Sequence, residues 1–176
     1  MKKNKIVLIL VLALLLVSCK DKDERNFDFT LRYNVGGSSL VSSFNNTAKV
    51  DTVEGPKVIE FILTKGEKEK IKEKFLELEI MNEDYTFLKK EYMQVTPCEK
   101  NDLIVELGDE KFHIEWSTNN IPPFSLDVTT GSIKPSEGYE EEFDKLNKLL
   151  ELKKYILNIV EESEEYQKLP PLRGYQ

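Results

Sequence analysis

Residues 27–35 alternate without a break: Phe27, Phe29, Leu31, Tyr33 and Val35 are apolar or aromatic, while Asp28, Thr30, Arg32 and Asn34 are polar. Such a period-2 run requires a β-strand with one buried face and one wet face. A second pattern of this kind spans 102–117, where Leu103, Val105 and Leu107 answer Phe112, Ile114 and Trp116 across Gly108-Asp109. Glycine in first place suits a type II′ turn, and that register sets Glu106 opposite Lys111. A turn at Asp109-Glu110 would keep the same apolar face, so the face is fixed and the register stays open between the two.

A sheet with one apolar face needs cover, and two stretches have helical spacing. Thr64 stands three residues before Glu67, as in a capping box, and Ile71, Phe75 and Leu78 follow at i, i+4 and i+7. This predicts a helix over about 64–81. Tyr139, Phe143, Leu146, Leu150, Leu157 and Val160, widened by Leu149, Ile156 and Ile159, predict another over about 137–166, stopped by Pro170-Pro171. The expected fold is α+β: a mainly antiparallel sheet with two amphipathic helices packed on one face. The other sheet face is then expected to hold Arg32, Asn34, Glu106, Lys111, His113 and Glu115.

Shorter elements fill the gaps. Residues 40–53 read as two short strands around Asn45-Asn46-Thr47, and 57–63 as a strand with Ile59, Phe61 and Leu63 inward. Segment 85–98 fits neither period, and Pro97 excludes a central strand there. Residues 118–138 carry three prolines and two glycines, which is long for a plain connection. Within it, Asp127 to Ile133 fit a small hairpin around Thr130-Gly131. Phe124 follows Pro122-Pro123 as an apolar residue in a surface loop, so Phe124 and Asp127 mark an expected contact loop.

The N-terminus has a different character. Lys2, Lys3 and Lys5 precede twelve apolar residues, Ile6 to Val17, then Ser18 and Cys19. Twelve residues rise about 18 Å as a helix, short of the roughly 30 Å of a bilayer core. The charge pattern is that of a secretory signal. Leu16-Val17-Ser18-Cys19 resembles the lipobox of bacterial lipoproteins. The resemblance implies cleavage between Ser18 and Cys19, a diacylglyceryl group on the Cys19 thiol, and residence on the extracytoplasmic face of the cell membrane. The chain then divides into a cleaved signal at 1–18, a lipidated cysteine and tether at 19–26, one globular α+β domain at 27–169, and a tail at 170–176.

Loss of residues 1–18 removes three lysines and no acid, so the formal charge moves from −7 to −10. A chain this acidic lacks the basic face that nucleic acid requires. Lipid on Cys19 is therefore the expected membrane contact. With Cys19 lipidated, Cys98 is left as a single thiol, expected to be a small buried side chain. One cysteine and one histidine cannot build a structural zinc site. No metal site and no cofactor are expected. His113, the single histidine, reads as a solvated sheet residue, and a Cys98–His113 pair has no flanking signature. Trp116 and Phe112 read first as core. P-loop, HExxH, GxSxG, EF-hand and dinucleotide patterns are absent from the sequence.

Several stretches together resemble small uncharacterised lipoproteins of Bacillus-like bacteria: Leu31 to Gly37, Leu63-Thr64, Thr96-Pro97-Cys98, Ile114-Glu115-Trp116, and Glu165 to Pro170. The resemblance implies no activity. The expected function is non-enzymatic: a lipid-anchored envelope protein that binds an envelope protein or ligand. The alternatives are an envelope hydrolase using paired carboxylates, and a small-ligand carrier with an apolar pocket around Trp116.

Overall fold

The computed structural model describes residues 25–126 and 132–173. Six antiparallel strands form the main sheet: β1 (Phe27–Tyr33), β2 (Ser39–Ser42), β3 (Thr47–Thr52), β4 (Gly55–Glu60), β5 (Lys100–Leu107) and β6 (Glu110–Ser117). Their order is β4-β3-β2-β1-β5-β6, so the strongly alternating β1 lies inside the sheet and β6 closes one edge. Helices α1 (Lys65–Glu77) and α2 (Glu140–Glu161) cover one face. The core consists of the inward stripes of the strands, Phe29, Leu31, Leu103 and Val105 among them, with Ile71 and Phe75 of α1 and Leu146, Leu149, Leu152, Ile156 and Val160 of α2. This is the expected α+β architecture.

Local chemistry sets the boundaries. The Thr64 hydroxyl accepts from the Glu67 amide at 3.2 Å, and the Glu67 carboxylate accepts from the Thr64 amide at 2.8 Å. Helix α1 stops at Leu78, three residues before the expected end, because Glu79 adopts a left-handed φ of 52° and starts a 3₁₀ turn at Ile80–Asn82. The second predicted helix is two. Ser163 leaves helical geometry (ψ 147°), its hydroxyl donates to the Val160 carbonyl and accepts from the Tyr166 amide, and a short α3 (Glu164–Gln167) follows. A serine inside an apolar period can cap a new helix in this way. β4 begins at Gly55 and ends at Glu60, earlier than the expected 57–63. Pro56 fits because β4 is an edge strand.

The hairpin takes the glycine-first register. Leu107 pairs with Glu110 and Glu106 with Lys111, and Gly108 has φ +61° while Asp109 keeps a negative φ. The Lys111 ammonium lies 2.7 Å from Glu106. That turn also receives the chain from the N-terminal side: Gly108 N–H donates to the Asn26 carbonyl, and Arg25 pairs with Glu110 at 2.8 Å. The expected 19–26 tether is thus pinned from Arg25 onward. At the other terminus, Leu172 bridges to Thr52, and the Val53 and Arg173 amides bond to Pro171 and Asp51. The tail docks through its backbone, for Leu172 stays half exposed. Tyr175 lies outside the described residues.

Candidate functional site

Residues 84–91, which open the stretch 85–98 that fits neither period, pack beside the free edge of β6. Its 3₁₀ turn at Thr86–Lys89 buries Phe87 and Leu88, and Asp84 fixes the entry by accepting from the Thr86 amide at 2.9 Å. Asn120 ties the far end: its side-chain amide donates to the Lys90 carbonyl, and its oxygen accepts from the Ser117 amide and hydroxyl, each at 2.7 Å. Asn119 accepts from Tyr92 through its backbone and from Val95 through its side chain. Between this segment and β6 lies a cleft of about 950 Å³ that also reaches the open face of β5–β6.

Three of the residues lining the cleft bury a polar atom without a hydrogen-bond partner among the described residues: Tyr85 Oη, Asn101 Oδ1 and Trp116 Nε1. Asn101 and Trp116 face each other across β5 and β6, and both are buried. Each orphan atom of this kind costs about 1–3 kcal/mol. Burial also raises the Tyr85 phenol above its ordinary range, so it stays protonated as a donor. The set offers one indole donor, one amide acceptor and one hydroxyl able to do either.

The rim on the open face is charged. Arg32, Asp102 and Glu115 form one row across β1, β5 and β6. His113, one row on, places Nε2 2.8 Å from Asp102 Oδ1 and 3.7 Å from Glu115 Oε1. Arg32 Nε lies 3.9 Å from the other Asp102 oxygen. Gly37 permits this: a Cβ there would meet Arg32 Cδ at 3.0 Å, and its φ of +68° favours glycine.

His113 is solvated, as expected, though it is paired with Asp102. Trp116 is in the core and Phe112 packs edge-on against Phe75 and Tyr85, and both also border the cleft. Cys98 is half-buried among polar groups, not sealed in an apolar pocket: it accepts from the Thr118 hydroxyl at 3.5 Å and donates to the Glu99 carbonyl. The Thr118 hydroxyl chiefly, with Ser117 and the Asn119 amide, lowers its thiol against the opposing effect of burial. Its contacts are with these groups and not with His113. Phe124 is exposed on β7 (Phe124–Leu126), which pairs with β8 (Ile133–Pro135) in a small hairpin whose strands flank the expected 127–133, overlapping it only at Ile133. Leu126 and Ile133, paired across it, are also exposed. Ser18, Cys19 and Asp127 lie outside the described residues, as does the hairpin tip.

Sequence reading missed Tyr85, Asn101 and Asp102. Asn101 was visible as a polar residue in phase with Leu103, Val105 and Leu107. Asp102 followed from the register, since pairing Glu106 with Lys111 also pairs Asp102 with Glu115. Tyr85 gave no signal, because its burial depends on how 84–91 packs. None of the described helices is long and apolar enough to cross a membrane. No protein-family model matches this sequence, and no curated protein matches it.

Proposed function

We propose that this chain is a lipid-anchored, extracytoplasmic envelope protein without catalytic activity, and that its cleft beside β6 receives an extended segment of an envelope protein. The observation that carries the reading is the meeting on one cleft of Tyr85, Asn101 and Trp116, each with a buried polar atom that has no hydrogen-bond partner among the described residues. A folded chain retains such groups at a cost in stability, and a bound partner that reaches them as the cleft adjusts would offset it.

The edge strand supports a peptide over a compact ligand. In a two-residue hairpin the residues flanking the turn bond to each other, as do every second pair beyond them. The N–H and C=O groups of Lys111, His113 and Glu115 therefore point to the outer edge, where no further strand pairs among the described residues. Strand addition uses such an edge. The anchor supports the same orientation. The chain enters beside the Gly108-Asp109 turn, whereas the β7–β8 hairpin with Phe124, Leu126 and Ile133 leaves from the opposite end of β6.

A second reading rests on Asp102 and Glu115, whose carboxylates converge at the rim: an envelope hydrolase using paired carboxylates. Glu115 is mostly exposed, so the dry wall that suits a general acid is missing. Hydrolysis of a wall polymer or ester that Glu115→Gln abolishes would favour it.

Anchoring and binding are tested separately. Cys19→Ser should move the protein from the detergent phase to the aqueous phase in a phase separation, and persistence in detergent would remove the lipid anchor. In-cell crosslinking from β6 should recover a recurrent envelope protein, lost when Ser125 and Lys111 are replaced by proline to block hairpin and edge pairing. Recovery unchanged by both replacements would remove the binding surface.

A further inference from the structure

We propose that Asp102, His113 and Glu115 form a site for one divalent first-row transition ion, with Zn²⁺ as the probe. One imidazole nitrogen and two carboxylates each offer a donor, and the three donor atoms lie within 4.8 Å of one another. Donors bound at about 2.0–2.2 Å around a single ion stand roughly 3–3.5 Å apart. The separations of 2.8 and 3.7 Å from His113 Nε2 bracket that range, and the two carboxylates, no more than 4.8 Å apart, close on a shared ion by side-chain movement of up to about 1.5 Å.

The framework is rigid. All three residues sit on one face of the paired strands β5 and β6, whose register is fixed by the type II′ turn. Asp102 and Glu115 are directly opposite, and like charges in that position are destabilising. A dication between them turns the repulsion into attraction. Arg32 lies nearer Asp102 Oδ2, leaving Oδ1 toward His113, and so orients the carboxylate from behind. The imidazole nitrogen selects a transition ion over Ca²⁺ and Mg²⁺, which take oxygen donors. Three protein donors leave further coordination positions to water or to a group in the adjoining cleft. The site stands on these donors alone and is independent of the peptide reading above.

The test uses the untagged full chain in detergent, titrated with Zn²⁺ by calorimetry and by NMR of the ring nitrogens. His113 is the only histidine, so the ring signals have a single source. The expected result is one ion per chain, a shift of the Nε2 resonance on binding, and affinity lowered by more than about tenfold in each of His113→Ala, Asp102→Asn and Glu115→Gln. Cys98→Ser should bind as the parent does. Unchanged ring resonances at saturation, or equal binding by His113→Ala, would overturn the site. Displacement of Zn²⁺ by excess Ca²⁺ or Mg²⁺ would overturn the choice of ion. Thermal melts of the three variants matching the parent would tie the loss to ligation and not to folding, while lowered melts in all three would overturn the claim that these side chains are free to bind metal.

Discussion

The two faces of the same sheet are one residue apart along every strand, yet they differ in almost every property. On the covered face Phe29 and Leu31 are fully buried and Val105 is 1% exposed. On the open face the His113 side chain is 56% exposed and that of Glu115 is 73% exposed. The covered face holds the fold and carries little chemistry apart from Asn101 and the Trp116 indole at its β6 end. The open face carries the ionisable groups and contributes little to the core. Alternation keeps the two roles apart, so substitutions should separate stability from binding.

The largest effect expected is on the covered face. Phe29→Ala should cost about 3–5 kcal/mol in urea unfolding, as for other buried phenylalanines. His113→Ala, one face over, should stay within about 0.5 kcal/mol. Comparable losses at the two positions would break the separation.

The boundary between the faces gives a sharper case. Tyr85→Phe removes only the unpartnered hydroxyl, so stability should rise by roughly 1 kcal/mol, the cost of a buried unsatisfied group. Partner capture should fall at the same time. A loss of stability would mean that the hydroxyl has a structural role, and unchanged capture would detach it from binding.

Helix supports should matter moderately. Thr64→Ala breaks the capping box of α1 and should cost about 1 kcal/mol without affecting metal or partner binding, as read by unfolding and crosslinking.

The smallest effect is a pH dependence. Lys148 above all, joined by Lys145, holds the Glu83 carboxyl below its usual 4.5, against the opposing effect of burial. A depressed folded value means stability that is present above pH 4.5 and lost as pH falls through the folded value. Glu83→Gln should flatten the acid limb of the stability curve in that window. An unchanged acid limb would show that the pair contributes nothing there.

Much of the fold was legible because its signals are local. The alternation at 27–35, the glycine-first turn at Gly108 and the Thr64–Glu67 box each act over a few residues. The misplaced boundaries came from choices that the tertiary structure makes: Glu79 turning left-handed, and Ser163 capping a new helix inside a continuous apolar period. The site was legible only in part. Register arithmetic reaches Asp102 opposite Glu115, and phase reaches Asn101. The cleft itself depends on the aperiodic stretch 85–98, held at Lys90 by Asn120 and at Tyr92 and Val95 by Asn119, and no spacing rule foretells where such a segment packs.

The central claim is that the cleft at the β6 edge of the sheet meets the partner while the outer surface of α2 does not. The direct measurement is in-cell photocrosslinking from two positions of the anchored protein, Lys111 on β6 and exposed Lys154 on α2. A defined envelope protein recovered from Lys111 and absent from Lys154 is the predicted result. Equal recovery from both positions, or recovery from Lys154 alone, would contradict it.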